Sequence, residues 1–377
     1  MQYRYPVVLM RGGNSKGLFF RNEDLPSNVV ERNNVLLRAV GSPGAGQVDG
    51  MGGCISNTRK VAIVGRSIKP DHDVDYTFVQ LGTICSDLYY DAMCGDLVSA
   101  VGIFAMENGL CAVEEPFTQV RVFNTNLERT ILVTIPVSFG NCQSAGAFTV
   151  DRIPSISAPI VIEFLAPSID TSSQCFITGN LIDRIRVDKE KDIEVTIIDV
   201  GNPTVLVDAQ ALGISGFETL AQLSNNNDLL QRFEHIRSKA ARLIGRVNKW
   251  QQATLHSPTI PNIVAVNKEI DPDTQGNQNA SSDHFDLFVH AFINQRPHHA
   301  IPLTGLISTV ASTCLSGTLT NRMLKWPVKS RRVFIKHAGG VSSADVNLDE
   351  NKSGELKSVT VKSTARTIMD GYIPEIV

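Results

Sequence analysis

The hydrophobic and polar positions of the chain follow the same order twice. Residues 7–20 form two apolar runs around a turn at Gly13-Asn14, and residues 196–207 form two around Gly201-Asn202, with the turn glycines 188 residues apart. Short apolar runs joined by Gly and Asn are typical of paired β-strands. A pattern that recurs in the same order indicates two similar structural units.

Each half then continues through further strand-like runs to one long helical segment. The runs lie at residues 61–79 and 263–289, and each half is predicted to close on a hairpin, at residues 120–133 and 359–368. Apolar side chains at intervals of three or four residues predict a helix. These helical positions are Leu97, Val98, Val101, Phe104 and Ala105 in the first half, and Leu303, Leu306, Ile307, Val310 and Cys314 in the second.

This order predicts an α+β protein of two pseudo-symmetric domains, each a mixed or antiparallel sheet wrapped around a central helix. We expect an N-terminal domain at residues 1–192, with its repeat at about 5–140, and a C-terminal domain at 193–377. The polar segment 269–279 has no counterpart in the first half and is predicted to be a surface loop. A cleft between two such units is a usual site for small ligands.

Composition narrows the class of protein. The chain has 377 residues, of which 42% are hydrophobic and 19% charged, with a net charge of −3. This fits a globular protein and lacks the basic excess that nucleic acids require. The sequence contains neither a membrane-length apolar run nor a signal-peptide pattern, so a cytoplasmic protein is expected. Its seven cysteines include no CxxC spacing, which disfavours a zinc site or a disulfide framework.

Two residues stand out as candidates for chemistry. Cys94 directly precedes the first predicted helix, where free backbone N–H groups and the helix dipole favour a thiolate and bind anions. The alternative is an unreactive core thiol. Lys60 lies where a polar loop enters an apolar strand, and a poorly hydrated amine there could act as a base. A solvated lysine at a strand end is the alternative.

Three further segments carry polar groups that could bind an anion. The segment from Arg11 to Gly17 combines glycines with basic and hydroxyl side chains, but it lacks the spacing of a nucleotide-binding loop. Thr178-Gly179-Asn180 could instead be an ordinary turn. His298-His299 precedes the second predicted helix, as Cys94 precedes the first, and exposed histidines are the alternative there.

Several segments together resemble the PrpF family. They are Met10-Arg11-Gly12-Gly13-Asn14-Ser15-Lys16-Gly17-Leu18-Phe19-Phe20, Gln47-Val48-Asp49-Gly50-Met51-Gly52-Gly53, Asp71-His72-Asp73-Val74-Asp75-Tyr76, Cys94-Gly95-Asp96-Leu97, Thr178-Gly179-Asn180 and His298-His299-Ala300. The family includes 2-methylaconitate cis-trans isomerase, 3-methylitaconate delta-isomerase, aconitate delta-isomerase and 4-oxalomesaconate tautomerase. The resemblance implies the diaminopimelate-epimerase fold over nearly the whole chain.

The resemblance also implies a reaction and a site. The reaction is a cofactor-independent, metal-free proton transfer across the allylic system of an unsaturated di- or tricarboxylate, with Lys60 and Cys94 as the catalytic pair. A small carboxylate is then the expected partner, and the enzyme could be a homodimer. The substrate-binding residues expected from the resemblance are Arg11, Asn14, Ser15, Ser56, Thr58, Gly95, Asp96, Thr178, Gly179, Asn180 and His299.

The sequence departs from the family pattern at three places. Asp96 replaces an Asn, Arg59 replaces a Ser, and Gly339 stands where the family has a Ser in its C-terminal turn. These changes bear on the substrate more than on the fold. Two other functions stay open: a non-catalytic binding protein, and an amino-acid epimerase, which would need a second thiol where His298-His299 lies.

Overall fold

The protein is described by a computed structural model. The described residues are 4–44, 46–82, 86–150, 153–167, 175–187, 192–216, 218–268, 285–293, 295–324, 331–349 and 355–374. The polar segment 269–279, predicted to be a surface loop, lies outside them. Among the described residues, no helix combines the length and apolar character needed to cross a membrane.

The chain forms two compact units. The first unit is Met1–Glu163 together with Lys362–Val377, and the second unit is Phe164–Val361. The C-terminal segment thus returns to the first unit. The domain division after residue 192 stays a prediction, because it rests on internal repetition and not on compactness.

Groups of strands are separated by helices along the chain. The strands are β1 (Arg4–Gly12), β2 (Ser15–Arg21), β3 (Lys60–Arg66), β4 (Val74–Leu81), β5 (Leu88–Tyr89), β6 (Phe117–Asn124), β7 (Arg129–Ser138), β8 (Asn141–Cys142), β9 (Ile160–Leu165), β10 (Asp183–Arg186), β11 (Asp192–Ile198), β12 (Thr204–Asp208), β13 (Asn262–Lys268), β14 (Leu287–Ile293), β15 (Arg296–Pro297), β16 (Arg332–His337), β17 (Gly340–Asp349), β18 (Glu355–Ser363) and β19 (Ala365–Pro374). The α-helices are α1 (Val29–Val40), α2 (Gly95–Glu107), α3 (Leu220–Asn225), α4 (Asn227–Leu243), α5 (Ala253–His256), α6 (Leu303–Cys314) and α7 (Leu319–Met323).

The strand pairing repeats from one unit to the other. In the first unit, β1–β2 is antiparallel, β2–β3 parallel, β3–β4 antiparallel, β4–β6 parallel and β6–β7 antiparallel. In the second unit, β11–β12, β12–β13, β13–β14, β14–β16 and β16–β17 alternate in the same way. The predicted repeat of mixed sheets is therefore confirmed, and the fold class is α+β.

Each unit has one central helix that is buried on every side. In α2 every residue except Asp96 and Glu107 is buried, and in α6 every residue except Leu303 is buried. A helix that is apolar all round can be stable only inside a core. Both predicted central helices are confirmed, and α2 begins directly after Cys94, which is its N-cap residue.

The outer helix α1 shows how local sequence sets a helix boundary. The Asn28 side chain accepts hydrogen bonds from the backbone N–H groups of Val30 and Glu31, which have no partner within the helix. Gly41 ends the helix in the left-handed conformation, with φ of 81°. One face of α1, including Leu36 and Val40, packs into the core of the first unit.

One detail of the predicted repeat is wrong. The expected hairpin at residues 359–368 does not form, since β18 pairs with β17 and β19 pairs with β1. A single residue, Thr364, separates β18 from β19. This is too short to reverse the chain into a two-residue hairpin. The counterpart of β6–β7 is instead β16–β17.

The second central helix begins at the first residue of its predicted apolar pattern, and His298-His299 precedes it, as expected. Helix α6 begins at Leu303 and its N-cap residue is Pro302, so His298-His299 lies ahead of the helix start. The backbone N–H of His298 donates to the carbonyl of Ala291 at 2.8 Å, which ties this segment to β14. The position equivalent to Cys94 is therefore held by Pro302.

Candidate active site

A glycine turn brings the start of β2 against the start of α2. A Cβ atom at Gly12 would lie 2.5 Å from the carbonyl oxygen of Asp96, and one at Gly13 would lie 2.5 Å from Asp96 Oδ1. Gly13 also has a φ of 49°, a conformation that side chains disfavour. Glycine at both positions permits this close approach, which delivers Ser15 to the helix N-terminus.

Lys60 reaches the same point from the neighbouring strand. It is the first residue of β3, which runs parallel to β2. A 3₁₀ turn at Ser56–Thr58 precedes it and delivers the chain into the sheet. Gly17 on β2 lies beside Lys60, because a Cβ there would be 3.0 Å from the Lys60 carbonyl oxygen. Parallel pairing therefore places the two strand starts side by side.

The three side chains meet in a buried cluster. Lys60 Nζ lies 2.9 Å from Ser15 Oγ and 3.1 Å from Cys94 Sγ, and the Cys94 thiol lies 3.8 Å from Ser15 Oγ. Lys60, Cys94 and Ser15 are 9%, 6% and 2% exposed. An amine and a thiol in direct contact can exchange a proton without solvent. Lys60 and Cys94, expected to act as a pair, are thus in direct contact, and their catalytic role stays a prediction.

The backbone of Cys94 accepts a hydrogen bond from a buried tyrosine. The Tyr76 hydroxyl donates to the Cys94 carbonyl at 3.3 Å, within the core. Burial, and next the neighbouring Cys94, raise the pKa of Tyr76 well above its usual value, so the phenol remains a neutral donor. As the N-cap residue, Cys94 lies at the positive end of the α2 dipole. Gly95, the first residue of the helix, is buried beside it.

Asp96 completes the cluster on its outer side. Ser15 Oγ donates to Asp96 Oδ2 at 3.3 Å, and Asp96 is half-buried. A carboxylate in the first turn is favoured by the helix dipole. The acid that departs from the family pattern is thus linked through Ser15 to the Lys60 amine.

Sequence reasoning missed the residues of β4 that lie under the cluster. Lys60 pairs with Gln80, and Tyr76, Phe78 and Gln80 share one face of β4 because strand side chains alternate. The Phe78 ring lies 5.9 Å from Lys60 Nζ, and Gln80 Nε2 donates to the carbonyl of Arg59 at 2.8 Å. The alternation of β4 together with its pairing to β3 would have identified these residues.

Arg11 lies in β1 and is tied to the chain before β19. Its Nη1 donates to the carbonyl of Gly13 and to the carbonyl and hydroxyl of Thr364, each at 3.0 Å. Burial, and next Arg366, lower the pKa of Arg11. These bonds give Arg11 a role in holding the glycine turn, and its predicted contact with substrate stays a prediction.

The other predicted residues of the first unit flank the cluster. The carbonyl of Asn14 accepts from Asn57 Nδ2 at 3.3 Å, which joins the glycine turn to the loop before β3. Ser56 contacts Asn57 within that loop, and Thr58 Oγ1 donates to the carbonyl of Ile55 at 3.0 Å. Their predicted contacts with substrate remain untested.

The remaining predicted residues lie in the second unit. Thr178 and Asn180 donate to the carboxylate of Asp183 at 2.7 and 2.9 Å, and Gly179 has a φ of 76°. These contacts form a turn, the simpler of the two readings for this segment. His299 is exposed, ahead of α6. Substrate binding by these residues stays a prediction.

The other two departures from the family pattern can also be located. Arg59 is buried, and burial lowers the pKa of its guanidinium. The backbone N–H of Gly339 donates to His337 Nδ1 at 3.1 Å, and His337 Nε2 lies 2.8 Å from Ser342 Oγ. Ser342 therefore supplies a hydroxyl to that turn, close to where the sequence lost one. In the described part of the chain, no three His, Cys, Asp or Glu residues group as metal ligands.

The sequence matches a known family over nearly its full length, namely the PrpF protein family over residues 2–375. The chain belongs to the PrpF family. Its PrpF relatives include the 3-methylitaconate isomerase of Eubacterium barkeri, which is 34% identical over 99% of this chain and 97% of the relative. The 2-methyl-aconitate isomerase of Shewanella oneidensis is 32% identical over 99% and 97% of the two chains. The 4-oxalomesaconate tautomerase of Pseudomonas putida is 32% identical over 99% and 96%.

Solved structures agree with this assignment. A crystal structure of methylitaconate-delta-isomerase superposes with a TM-score of 0.80 at 33% identity, over 99% of this chain and 96% of the other. A hydroxyproline epimerase from Agrobacterium vitis shares the fold, with a TM-score of 0.56 at 13% identity over 99% and 94% of the chains. This PrpF protein is therefore an isomerase with the diaminopimelate-epimerase-like fold.

Proposed function

We propose that this isomerase moves a proton across the allylic system of an unsaturated di- or tricarboxylate, such as aconitate, methylaconitate or an itaconate or maleate derivative. The observation that carries the proposal is the buried contact of 3.1 Å between Lys60 Nζ and Cys94 Sγ. The PrpF relatives named for methylitaconate, methylaconitate and oxalomesaconate indicate the substrate class.

The reaction needs one group that takes a proton and one that gives it. The Lys60 amine removes a proton from the carbon next to a carboxylate, and the electron pair moves through the double bond to give a dienolate. The Cys94 thiol then protonates the far carbon, so the double bond shifts and the substrate keeps its composition. Developing negative charge is stabilised by backbone N–H groups at the start of α2. General acid–base steps of this kind contribute about 10²–10⁴-fold to a rate.

The epimerase alternative is less well supported. That chemistry uses two opposed thiols, and the residue of α6 equivalent to Cys94 is Pro302. A proline ring neither gives nor takes a proton. The non-catalytic alternative would leave the buried amine and thiol without a role. The proposal also includes independence of any cofactor or metal, a cytoplasmic location and assembly as a homodimer.

The test is proton exchange with solvent. The purified protein is incubated in D₂O with a panel of unsaturated di- and tricarboxylates and, separately, with amino acids, and deuterium incorporation and double-bond position are followed by NMR. We expect a shifted or isomerised double bond, with deuterium at the reprotonated carbon, for at least one member of the panel. Binding without exchange would favour the non-catalytic alternative, and exchange at the α-carbon of amino acids would favour an epimerase.

A further inference from the structure

A chain of hydrogen bonds leads from the buried Lys60 amine to Asp96. Lys60 Nζ donates to Ser15 Oγ at 2.9 Å, and Ser15 Oγ donates to Asp96 Oδ2 at 3.3 Å. A hydroxyl has one donor and two acceptor positions. Because Lys60 and the Cys94 thiol both lie on the acceptor side of Ser15, its hydrogen is directed at the carboxylate. The chain of donors therefore runs from the amine to the carboxylate.

The residues of this hydrogen-bond chain differ in how deeply they are buried. Lys60, Cys94 and Ser15 are each more than nine-tenths buried, whereas Asp96 is half-buried and is one of two α2 residues outside the core. The amine and the thiol therefore have little contact with water. A proton on Asp96 can pass to solvent. The Ser15–Asp96 bond is longer than usual, as catalytic hydrogen bonds often are before substrate binds.

We propose that Ser15 and Asp96 form a relay that exchanges the proton taken by Lys60 with solvent, an inference that rests on the proposed function of this site. Asp96 would then be a positioning and proton-exchanging residue that does not touch the substrate. Asp96 stands where the family has Asn, so this protein has a carboxylate near Lys60 through which a proton can leave the site.

The proton balance of the relay closes over one cycle. After Lys60 takes a proton from the substrate it is an ammonium group, and it passes one proton to Ser15 Oγ while Ser15 passes its hydrogen to the Asp96 carboxylate. The amine and the hydroxyl are restored, and the carboxylic acid of Asp96 loses its proton to water. Cys94, which gave its proton to the far carbon, regains one through Lys60 by the same path in reverse. The substrate loses one proton and gains one, and the protein is unchanged.

The relay makes a prediction that a purely structural Asp96 does not. Without the exit, the proton taken by Lys60 can only return to the substrate or pass to Cys94, and it then appears in the product. With the exit, it is replaced by a proton from water. The fate of a labelled proton therefore distinguishes proton exchange from support of the helix start.

The experiment uses a substrate with deuterium at the carbon that loses its proton, turned over in ordinary water. We expect the wild-type product to retain little deuterium at the reprotonated carbon. Asp96→Asn and Ser15→Ala should each raise this retention several-fold, and slow turnover about tenfold or more. Glu107→Gln is the matched control, since it removes a carboxylate from the opposite end of α2. Its deuterium retention should equal that of the wild type.

The outcomes separate the relay from the proposed function. Turnover with unchanged retention in both relay variants overturns the relay and leaves the proposed function intact. If no member of the substrate panel turns over, the proposed function fails, and the exchange of the Lys60 amine hydrogens with D₂O decides the relay. This exchange is followed by NMR on ¹⁵N-lysine protein, with Lys60→Arg to assign the signal. Exchange several-fold slower in Asp96→Asn supports the relay, and equal exchange overturns it.

Discussion

The two compact units share a scaffold and differ in the side chains at the start of their central helices. The first residue of β3 is Lys60 and the N-cap residue of α2 is Cys94, whereas the corresponding residues of β13 and α6 are Asn262 and Pro302. An amine and a thiol can take and give protons, and an amide and a proline ring cannot. The duplicated fold thus supplies two equivalent positions, and in the first unit they carry side chains that can exchange protons.

The second unit fills the same place with neutral hydrogen bonds. Asn202 and Asn262 donate to Thr304 Oγ1 at 3.2 and 3.5 Å, and Ser308 Oγ donates to the carbonyl of Asn202 at 3.4 Å. This cluster satisfies buried polar groups without placing a charge in the core. The comparison teaches that the two units share strand order and helix placement and differ in the side chains at these positions, an amine and a thiol in the first unit and uncharged groups in the second.

The largest effect is expected from the strand-start residue that differs between the two units. Lys60→Ala removes the proposed base and should lower turnover by about 10²–10⁴-fold or more. Asn262→Ala, at the equivalent strand start, removes a neutral hydrogen bond and should lower turnover much less. Steady-state kinetics on an active substrate, with circular dichroism to verify folding, measure both. Equal losses would mean that the two positions do not differ in function.

The second prediction compares the thiols of the two central helices. Cys94→Ser keeps the size of the side chain but provides a much weaker acid, so turnover should fall by about 10²-fold while ligand affinity is retained. Cys314 lies in α6, where burial raises the pKa of its thiol, and Cys314→Ser should leave turnover nearly unchanged. Kinetics and calorimetric binding separate the two effects. A Cys94→Ser variant with the wild-type rate would make this thiol a spectator.

The third prediction compares the two turn glycines. Gly13→Ala meets a φ of 49° and Asp96 Oδ1 at 2.5 Å, so a stability loss of about 1–2 kcal/mol is expected. Gly201→Ala would meet Ile307 Cδ1 at 2.5 Å. Ile307 is fully buried, and moving its side chain off its rotamer would cost about 0.5–1.5 kcal/mol. Denaturant unfolding of each variant beside the wild type measures both losses. A larger loss for Gly201→Ala would contradict this ranking.

The smallest expected effect concerns acid sensitivity in the second unit. Burial lowers the pKa of His290, and Glu218 partly opposes this shift. The unfolded chain, with a histidine pKa of about 6.5, then binds a proton more readily than the folded protein. The free energy of unfolding therefore decreases as the pH falls below about 6.5. One group can lower it by at most about 1.4 kcal/mol per pH unit. Strand register gives the first unit Thr77 at this position, which does not titrate in this range.

Denaturant unfolding between neutral and mildly acidic pH tests this sensitivity. His290→Gln should make the pH dependence shallower, because the amide does not titrate. His256→Gln is the control, since this side chain is exposed. An unchanged slope in His290→Gln would show that the buried imidazole is not a source of acid sensitivity.

Much of the fold follows from periodicity in the sequence. The spacing of Leu97 to Ala105 gives α2, and the Gly13-Asn14 turn gives the first pair of strands. The same local reasoning failed near the C-terminus. Apolar and polar side chains alternate there as they would in a hairpin, but β18 pairs with β17 and β19 pairs with β1. Alternation reports that one face of a strand is buried and does not report which strand is its neighbour.

For the active site, the sequence by itself determined the reactive side chains and their local positions, namely a thiol at a helix start and an amine at a strand start. The tertiary structure alone decided that Lys60 touches both Cys94 and Ser15, which are 34 and 45 residues away in the chain. It also decided that the Tyr76 hydroxyl donates to the Cys94 carbonyl and that Arg11 is held by Thr364, 353 residues later. Local patterns record burial and backbone preference over a few residues, whereas these contacts depend on which strands pair and on how closely a glycine turn can approach a helix.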